Sequence, residues 1–179
     1  PNLEVFRPSD VNEVIGVYKY MSNKKSTPTA LVLARNNTPI LDNTSVNDVS
    51  KGAYIVLEEE KELNGIIIST GEDLHKAVLT AKKLKEEGHD LRVVSMPSIE
   101  LFNKQSKEYR EKILPKNSNI IVVEASSSYS WYQFTSKDKM ITIDTFGKSA
   151  STSDILKDYG FDYESILLKV REILNKIAK

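Results

Sequence analysis

The chain contains no cysteine. It can therefore form no disulfide, present no thiolate nucleophile and bind no metal through cysteine, and nothing in its composition indicates an oxidising compartment. Net charge is also absent, because 25 basic and 25 acidic residues cancel, which excludes a general attraction to nucleic acid or an anionic membrane. No apolar run approaches the roughly twenty residues of a membrane helix, and the N-terminus has no signal-peptide core. These absences predict a cytoplasmic protein without nucleic-acid or membrane partners.

What the chain does contain suits a globular protein, since 40% of its 179 residues are hydrophobic and 28% are charged. The most regular stretch is 65–96. Its β-branched run at 66–68 is typical of a buried strand, and Leu74 begins an amphipathic helix whose lysines, Lys76 among them, are expected to face water. Val93 and Val94 then predict a second strand. A strand, a helix and a strand joined by short turns predict a βαβ unit with parallel strands.

A shorter strand–helix–strand pattern precedes this unit. Residues 3–6 and 29–34 are predicted strands, and Asp10 is predicted to cap the helix between them, with Glu13 at capping-box spacing. Two short parallel strands cannot cover both of their faces, so we expect this unit to belong to a larger sheet. Further strands and helices are predicted, from their apolar patterns, at 52–57, 107–113, 119–123, 140–143, 151–159 and 163–177.

These elements together predict an α/β protein. We expect a three-layer sandwich in which a mostly parallel sheet has helices on both faces, preceded by a partial α/β unit of another domain. The polar, aperiodic stretch at 42–52 is predicted to be a linker between a truncated first domain, 1–41, and a second domain, 53–179. Because the chain does not begin with Met and reaches a strand almost at once, we expect it to be a fragment.

Few residues suggest chemistry. The turn at 70–71 opens a helix and resembles a phosphate-binding position, but the acids at 72–73 and the lack of a dinucleotide or P-loop pattern favour a structural turn. His75 and His89 have no partner at metal-ligand or catalytic spacing and are expected at the surface. The serines at 126–130 form no nucleophile elbow. We therefore assign no catalytic, cofactor-binding or metal-binding residue in this chain.

Two residues at the ends of predicted strands carry more information. Glu124 is a candidate buried acid whose partner the sequence does not identify. Arg35 follows a predicted strand, and ligands of open α/β sheets bind at the carboxyl ends of strands. Its guanidinium can hold a phosphate through two hydrogen bonds, or it can be a surface residue paired with a carboxylate. The residues alone leave both roles of Arg35 open.

Several stretches of the chain, taken in order, resemble the C-terminal part of transketolase. Residues 6–13 read F-R-P-S-D-V-N-E against the family's R-P-A-D-x-N-E, and 93–102 read V-V-S-M-P-S-I-E-L-F against V-V-S-M-P-x-x-E-L-F. Asn36 and Ser151 depart from the family's glutamine and proline. The remaining matches lie at 34–37, 51–54, 69–71, 109–115, 123–131 and 145–150.

The resemblance implies that 1–41 is the last part of the pyrimidine-binding domain and 53–179 the transketolase C-terminal domain. It implies a complete enzyme, a cytoplasmic homodimer, that uses thiamine diphosphate and Mg²⁺ to transfer a two-carbon ketol unit between sugar phosphates in the pentose phosphate pathway. Arg35 matches the family's arginine that holds the sugar's phosphate. The family's cofactor-binding and catalytic residues lie upstream, so no cofactor is expected in this chain alone, and the chain alone is expected to be inactive.

Two alternatives remain. One is a separate, non-catalytic C-terminal subunit that docks on a catalytic chain, as in split transketolases. The other is part of a related thiamine diphosphate enzyme, such as deoxyxylulose phosphate synthase or a 2-oxo acid dehydrogenase subunit. The stretches at 93–102 and 145–150 favour transketolase.

Overall fold

A computed structural model describes residues 2–24 and 26–177, so the outer ends of the predicted domains, residues 1 and 178–179, lie outside it. The first elements are β1 (Glu4–Phe6), α1 (Val11–Ser22) and β2 (Thr29–Leu31). The two strands pair in parallel, as predicted. The second strand ends three residues earlier than predicted. We call β1, α1 and β2 the N-terminal unit.

The rest of the chain forms one five-stranded sheet in the order β3-β5-β4-β6-β7. Every pairing in it is parallel except that of β3, which runs antiparallel to β5. This confirms the predicted mostly parallel sheet. Because the chain moves from β4 to one neighbour, β5, and then crosses back to the other, β6, the strand order reverses beside β4, which is where open α/β sheets bind ligands. The strands are β3 (Tyr54–Leu57), β4 (Gly65–Ser69), β5 (Leu91–Ser95), β6 (Ile120–Glu124) and β7 (Met140–Thr142).

Helices cover both faces of this sheet, which confirms the predicted sandwich. Ile67 points into a core shared with α2 and α6, whereas its neighbours Ile66 and Ile68 point into a second core shared with α3, α4 and Trp131. The alternation is that of a strand buried on both faces. No helix in the described ranges is long and apolar enough to cross a membrane. The helices are α2 (Leu74–Glu86), α3 (Ile99–Asn103), α4 (Lys107–Ile113), α5 (Thr152–Tyr159) and α6 (Tyr163–Ile177).

One prediction for α2 is wrong. Lys76 does not face water but is buried, with Nζ 2.8 Å from Oδ1 of Asp73. Helical periodicity alone counts a lysine as a solvent-facing residue, and it cannot show that a buried carboxylate one turn earlier will pair with it. The other lysines predicted to face water, at 82, 83 and 85, are exposed.

Glu13 joins the N-terminal unit to the five-stranded sheet. Asp10 caps α1 by accepting a hydrogen bond from the Glu13 backbone N–H at 3.1 Å, as the capping-box spacing predicts. The Glu13 carboxylate is fully buried. Its Oε2 accepts from the Ser9 N–H at 2.6 Å, while Oε1 accepts from the hydroxyls of Tyr54 in β3, at 2.6 Å, and Ser95 in β5, at 2.5 Å. Burial raises the pKa of Glu13, and these three neutral donors oppose that rise. An acid in the first turn of α1 therefore fixes the position of this helix on the sheet.

We expect Glu13→Met to lower the free energy of unfolding by at least about 3 kcal/mol, because it leaves three buried donors without their acceptor. Glu13→Gln should cost less, since its carbonyl can still accept from Ser9 while the two hydroxyls turn to accept from its amide. Glu172→Met, at an exposed position of α6, is the control. Urea unfolding measures the free energy of unfolding of the three variants. Equal stability of Glu13→Met and the control would contradict the role of Glu13.

Candidate functional site

The carboxyl edges of the two sheets meet at Arg7, the residue that follows β1. The Arg7 N–H donates to the carbonyl of Pro97, which comes just after β5, at 2.9 Å. Its carbonyl accepts from the hydroxyl of Thr70 at 2.8 Å and from the N–H of Gly71 at 3.0 Å, just after β4. Gly71 has a φ of 59°, the left-handed region that glycine adopts without strain. The turn at 70–71 thus binds the N-terminal unit, in agreement with the predicted structural role.

A cleft of about 250 Å³ opens where these edges meet, and we call it the carboxyl-edge cleft. A second cavity, of about 210 Å³, also borders Arg7, and its lining includes Met96 and Trp131. Arg7 and Thr70 line both spaces. The carboxyl-edge cleft is lined by Arg7, Val32, Leu33, Ala34, Arg35, Thr70, Gly71, Glu72, Asp73, Lys76, Ala125 and Leu156.

Arg7 reaches a buried acid at the end of β6. Its Nη2 lies 2.6 Å from Oε1 of Glu124, which is 1% exposed. The contact is a charge contact without hydrogen-bond geometry, and neither carboxylate oxygen has a hydrogen-bond donor among the described residues. Burial raises the pKa of Glu124 to about 7; the charge of Arg7 opposes the rise, whereas the charge of Asp73 adds to it. Glu124 is therefore poised to change its charge near neutral pH.

Asp73 is a second buried carboxylate, and both of its oxygens have partners. Besides the contact with Lys76, its Oδ2 accepts a hydrogen bond from the N–H of Ala125 at 2.8 Å. The backbone after β6 is thereby fastened to the turn after β4, across the point where the strand order reverses. Since Lys76 neutralises Asp73, this pair adds no net charge to the cleft.

Arg35 lies in the loop after β2, exposed, on the wall of the carboxyl-edge cleft. The amide of Asn36 approaches Oε1 of Glu72 at 3.5 Å, the outer limit of a hydrogen bond. Around the cleft stand three cations, Arg7, Arg35 and Lys76, and three acids, Glu72, Asp73 and Glu124. The site is thus electrically balanced while Glu124 is ionised.

Sequence reasoning found part of this site. The burial of Glu124 is confirmed. Arg35 lies in the loop beyond the carboxyl end of β2 rather than directly after the strand, because β2 ends at Leu31. The role of Arg7 was missed. A signal existed, because Arg7 follows one strand directly and Glu124 ends another, but nothing in the sequence indicates that the edges of two different sheets face each other.

The histidines take no part in this site. His75 and His89 are both half-buried, near opposite ends of α2, and Nδ1 of His75 lies 2.6 Å from the carbonyl oxygen of Glu72. Across 2–24 and 26–177, no three His, Asp or Glu side chains come together as a metal site would require. The described residues therefore form no site for the divalent cation that the family resemblance implies for the complete enzyme.

The raised pKa of Glu124 predicts a pH dependence of stability. The folded state binds this proton more tightly than the unfolded state does. Protonated Glu124 therefore contributes to the free energy of unfolding, and this contribution is fully present below about pH 4.5 and is lost as pH rises through about 7. The expected loss is about 3 kcal/mol. Glu124→Gln should remove this part of the pH dependence, whereas Glu172→Gln should retain it. Urea unfolding between pH 5 and 8 checks both, and parallel profiles for Glu124→Gln and the wild type would contradict the assignment.

Comparison with known proteins identifies the family. Residues 52–162, more than half of the chain, match the family described as the Transketolase-like TK C-terminal domain. The chain is 41% identical over 175 residues to a probable transketolase of Streptococcus pneumoniae, and 41% identical over 178 residues to a transketolase of Nostoc sp.. Each match covers 97% of this chain and 27% of the relative. The chain therefore spans about a quarter of the length of these relatives.

Solved structures agree with the sequence matches. Transketolase from Leishmania mexicana superposes with a TM-score of 0.91 at 35% identity, over 98% of this chain and 26% of that one. Transketolase from Pichia stipitis in complex with sedoheptulose 7-phosphate superposes with a TM-score of 0.90 at 32% identity, over 98% and 25% of the two chains. The sheet order, the two helical layers and these matches agree, and the chain belongs to the transketolase family, as a C-terminal portion of such an enzyme.

Proposed function

We propose that this chain is the C-terminal part of a complete transketolase that transfers a two-carbon ketol unit between sugar phosphates in the pentose phosphate pathway. The observation that carries the proposal is the match of nearly the whole chain to transketolases at 41% identity. The Pichia stipitis enzyme has been solved with sedoheptulose 7-phosphate and with xylulose 5-phosphate, which supports sugar phosphates as substrates. In this proposal the complete protein is a cytoplasmic homodimer that binds thiamine diphosphate and Mg²⁺ through residues upstream of this chain.

The proposal includes a division into two domains. Residues 1–41 would be the last part of the pyrimidine-binding domain, 42–52 a linker, and 53–179 the C-terminal domain. The family match that begins at residue 52 supports the boundary. The N-terminal unit has only two strands, and its exposed apolar side chains suit a surface that further strands and helices of the same domain would cover. These side chains include Leu3, Val11, Ile15, Val32, Leu33 and Ile40.

Within this enzyme we assign Arg35 the role of holding the phosphate of the sugar. The family resemblance motivates the assignment, and the position of Arg35 supports it. The side chain is exposed in the loop that follows β2, on the wall of a cleft that can admit an anion. A guanidinium at such a place can donate two parallel hydrogen bonds to phosphate oxygens. Arg35 thus binds and orients substrate, and it takes no part in bond making.

Arg35→Ala in the complete enzyme should raise the KM for sugar phosphates roughly 30-fold, because the loss of a charged hydrogen-bonding partner costs about 2 kcal/mol. Binding of thiamine diphosphate should be unchanged. Steady-state kinetics and cofactor titration measure the two effects. Arg110→Ala, at an exposed arginine of α4, is the matched control. If Arg35→Ala and Arg110→Ala show the same KM, Arg35 does not bind substrate.

The 179-residue chain alone, supplied with thiamine diphosphate and Mg²⁺, should show no ketol transfer from xylulose 5-phosphate, because the proposal places the catalytic residues upstream. A coupled assay with the complete enzyme as positive control checks this. Robust turnover by the chain alone would refute the expectation. Activity that returns when a separate catalytic chain is added would instead favour the alternative of a docking subunit.

A further inference from the structure

Arg7 stands between a buried acid and an open cleft. Its side chain is 37% exposed, whereas that of Glu124 is 1% exposed. Arg7 directly follows β1, Arg35 lies in the loop after the neighbouring strand β2, and both residues line the carboxyl-edge cleft. The backbone of Arg7 is held by Pro97, Thr70 and Gly71, so only its guanidinium is free to turn towards the cleft.

Glu124 contacts one nitrogen of that guanidinium. The 2.6 Å contact involves Nη2 and lacks hydrogen-bond geometry, so the remaining guanidinium N–H donors of Arg7 are not committed to the carboxylate. An anion in the cleft can offer the same guanidinium two well-aligned hydrogen bonds. Arg7 therefore has two acceptors to choose between, one buried and one supplied by a ligand.

The charges around Glu124 determine when it competes with a bound anion for the Arg7 guanidinium. Arg7 faces it from the β1–α1 connection, and Asp73 acts on it from the turn before α2. Asp73 is itself neutralised by Lys76 of α2. On the other side β7 presents Thr142, which is uncharged, opposite Glu124. Protonation of Glu124 removes the only carboxylate that contacts Arg7 among the described residues, and it leaves the balanced cleft with one net positive charge.

We propose that Arg7 and Arg35 together bind the phosphate group of a sugar phosphate in the carboxyl-edge cleft, and that Glu124 controls this site by competing for Arg7. The inference rests on the proposed function, because it takes Arg35 as the phosphate-binding arginine. It adds a second phosphate-binding residue and a proton-linked control to the same site.

The direction of the control follows from linkage. A bound anion draws Arg7 away from Glu124, and the loss of a nearby positive charge raises the pKa of Glu124 further above its value of about 7 in the free protein. Binding therefore takes up a proton. Affinity for the anion should rise as pH falls from 8 to 6, by up to about tenfold.

Inorganic sulfate is a suitable probe because, unlike a phosphate ester, it does not itself titrate in this range. Calorimetric titration of the complete enzyme at constant ionic strength should give several-fold tighter sulfate binding at pH 6 than at pH 8. Glu124→Gln should bind with the same affinity at both pH values, close to that of the wild type at pH 6. Arg7→Met should bind weakly at both. Glu172→Gln, at an exposed acid, should behave as the wild type does.

The variants separate the two proposals. If Arg35→Ala changes neither sulfate binding nor the KM for sugar phosphate, the proposed function of Arg35 fails. If Arg35→Ala weakens binding but Glu124→Gln keeps the wild-type pH dependence, the control by Glu124 is refuted while the role of Arg35 stands. Unchanged sulfate affinity in Arg7→Met would refute Arg7 as a ligand. Because Glu124→Gln keeps the size of the side chain, it tests the inference even if Arg7→Met fails to fold.

Discussion

The buried carboxyl group of Glu13 connects the N-terminal unit to the five-stranded sheet at which the candidate site forms. It accepts hydrogen bonds from the N-terminal unit through Ser9 and from the five-stranded sheet through Tyr54 and Ser95. A buried carboxyl group without a cationic partner is tolerated when several aligned hydrogen-bonding groups surround it, because each of them replaces a lost hydrogen bond to water. Together with the backbone hydrogen bonds of Arg7, this side chain therefore fixes how α1 and the strand β1 that precedes it lie against the five-stranded sheet.

The two buried acids, Glu13 and Glu124, show how local donors decide what a carboxyl group can do. Glu13 has three neutral donors, and its geometry is complete. Glu124 has a nearby guanidinium but no hydrogen bond from any described residue. Burial raises the pKa in both cases. Glu13 suits a structural role, since a change there would disturb both the N-terminal unit and the five-stranded sheet. The second suits a group that exchanges a proton, since its protonation breaks no hydrogen bond.

The α/β class, the mostly parallel sheet and the positions of nearly all elements could be predicted, because buried strands and amphipathic helices leave periodic apolar patterns. Glu124 could be placed at a strand end for the same reason, whereas Arg35 lies in the loop beyond the end of β2. Periodicity could not predict the antiparallel direction of β3, the burial of Lys76 or the contact of Arg7 with Glu124. Each of these depends on which segments meet in space. Residues as distant in sequence as Arg7 and Glu124 leave no local pattern that predicts their contact.

The location of Glu124 also explains why an unsatisfied acid is compatible with a stable fold. An acid without donors in the middle of a strand would disturb the cores on both faces of the sheet, where Ile121, Val122 and Val123 of the same strand are fully buried. At the end of β6 the cost is confined to the carboxyl edge, beside two cavities and a half-exposed arginine. The edge where the strand order reverses is also the place at which a ligand can approach the backbone without entering the core. A group whose charge changes near neutral pH therefore lies where its proton can affect binding while the packing of the two cores stays intact.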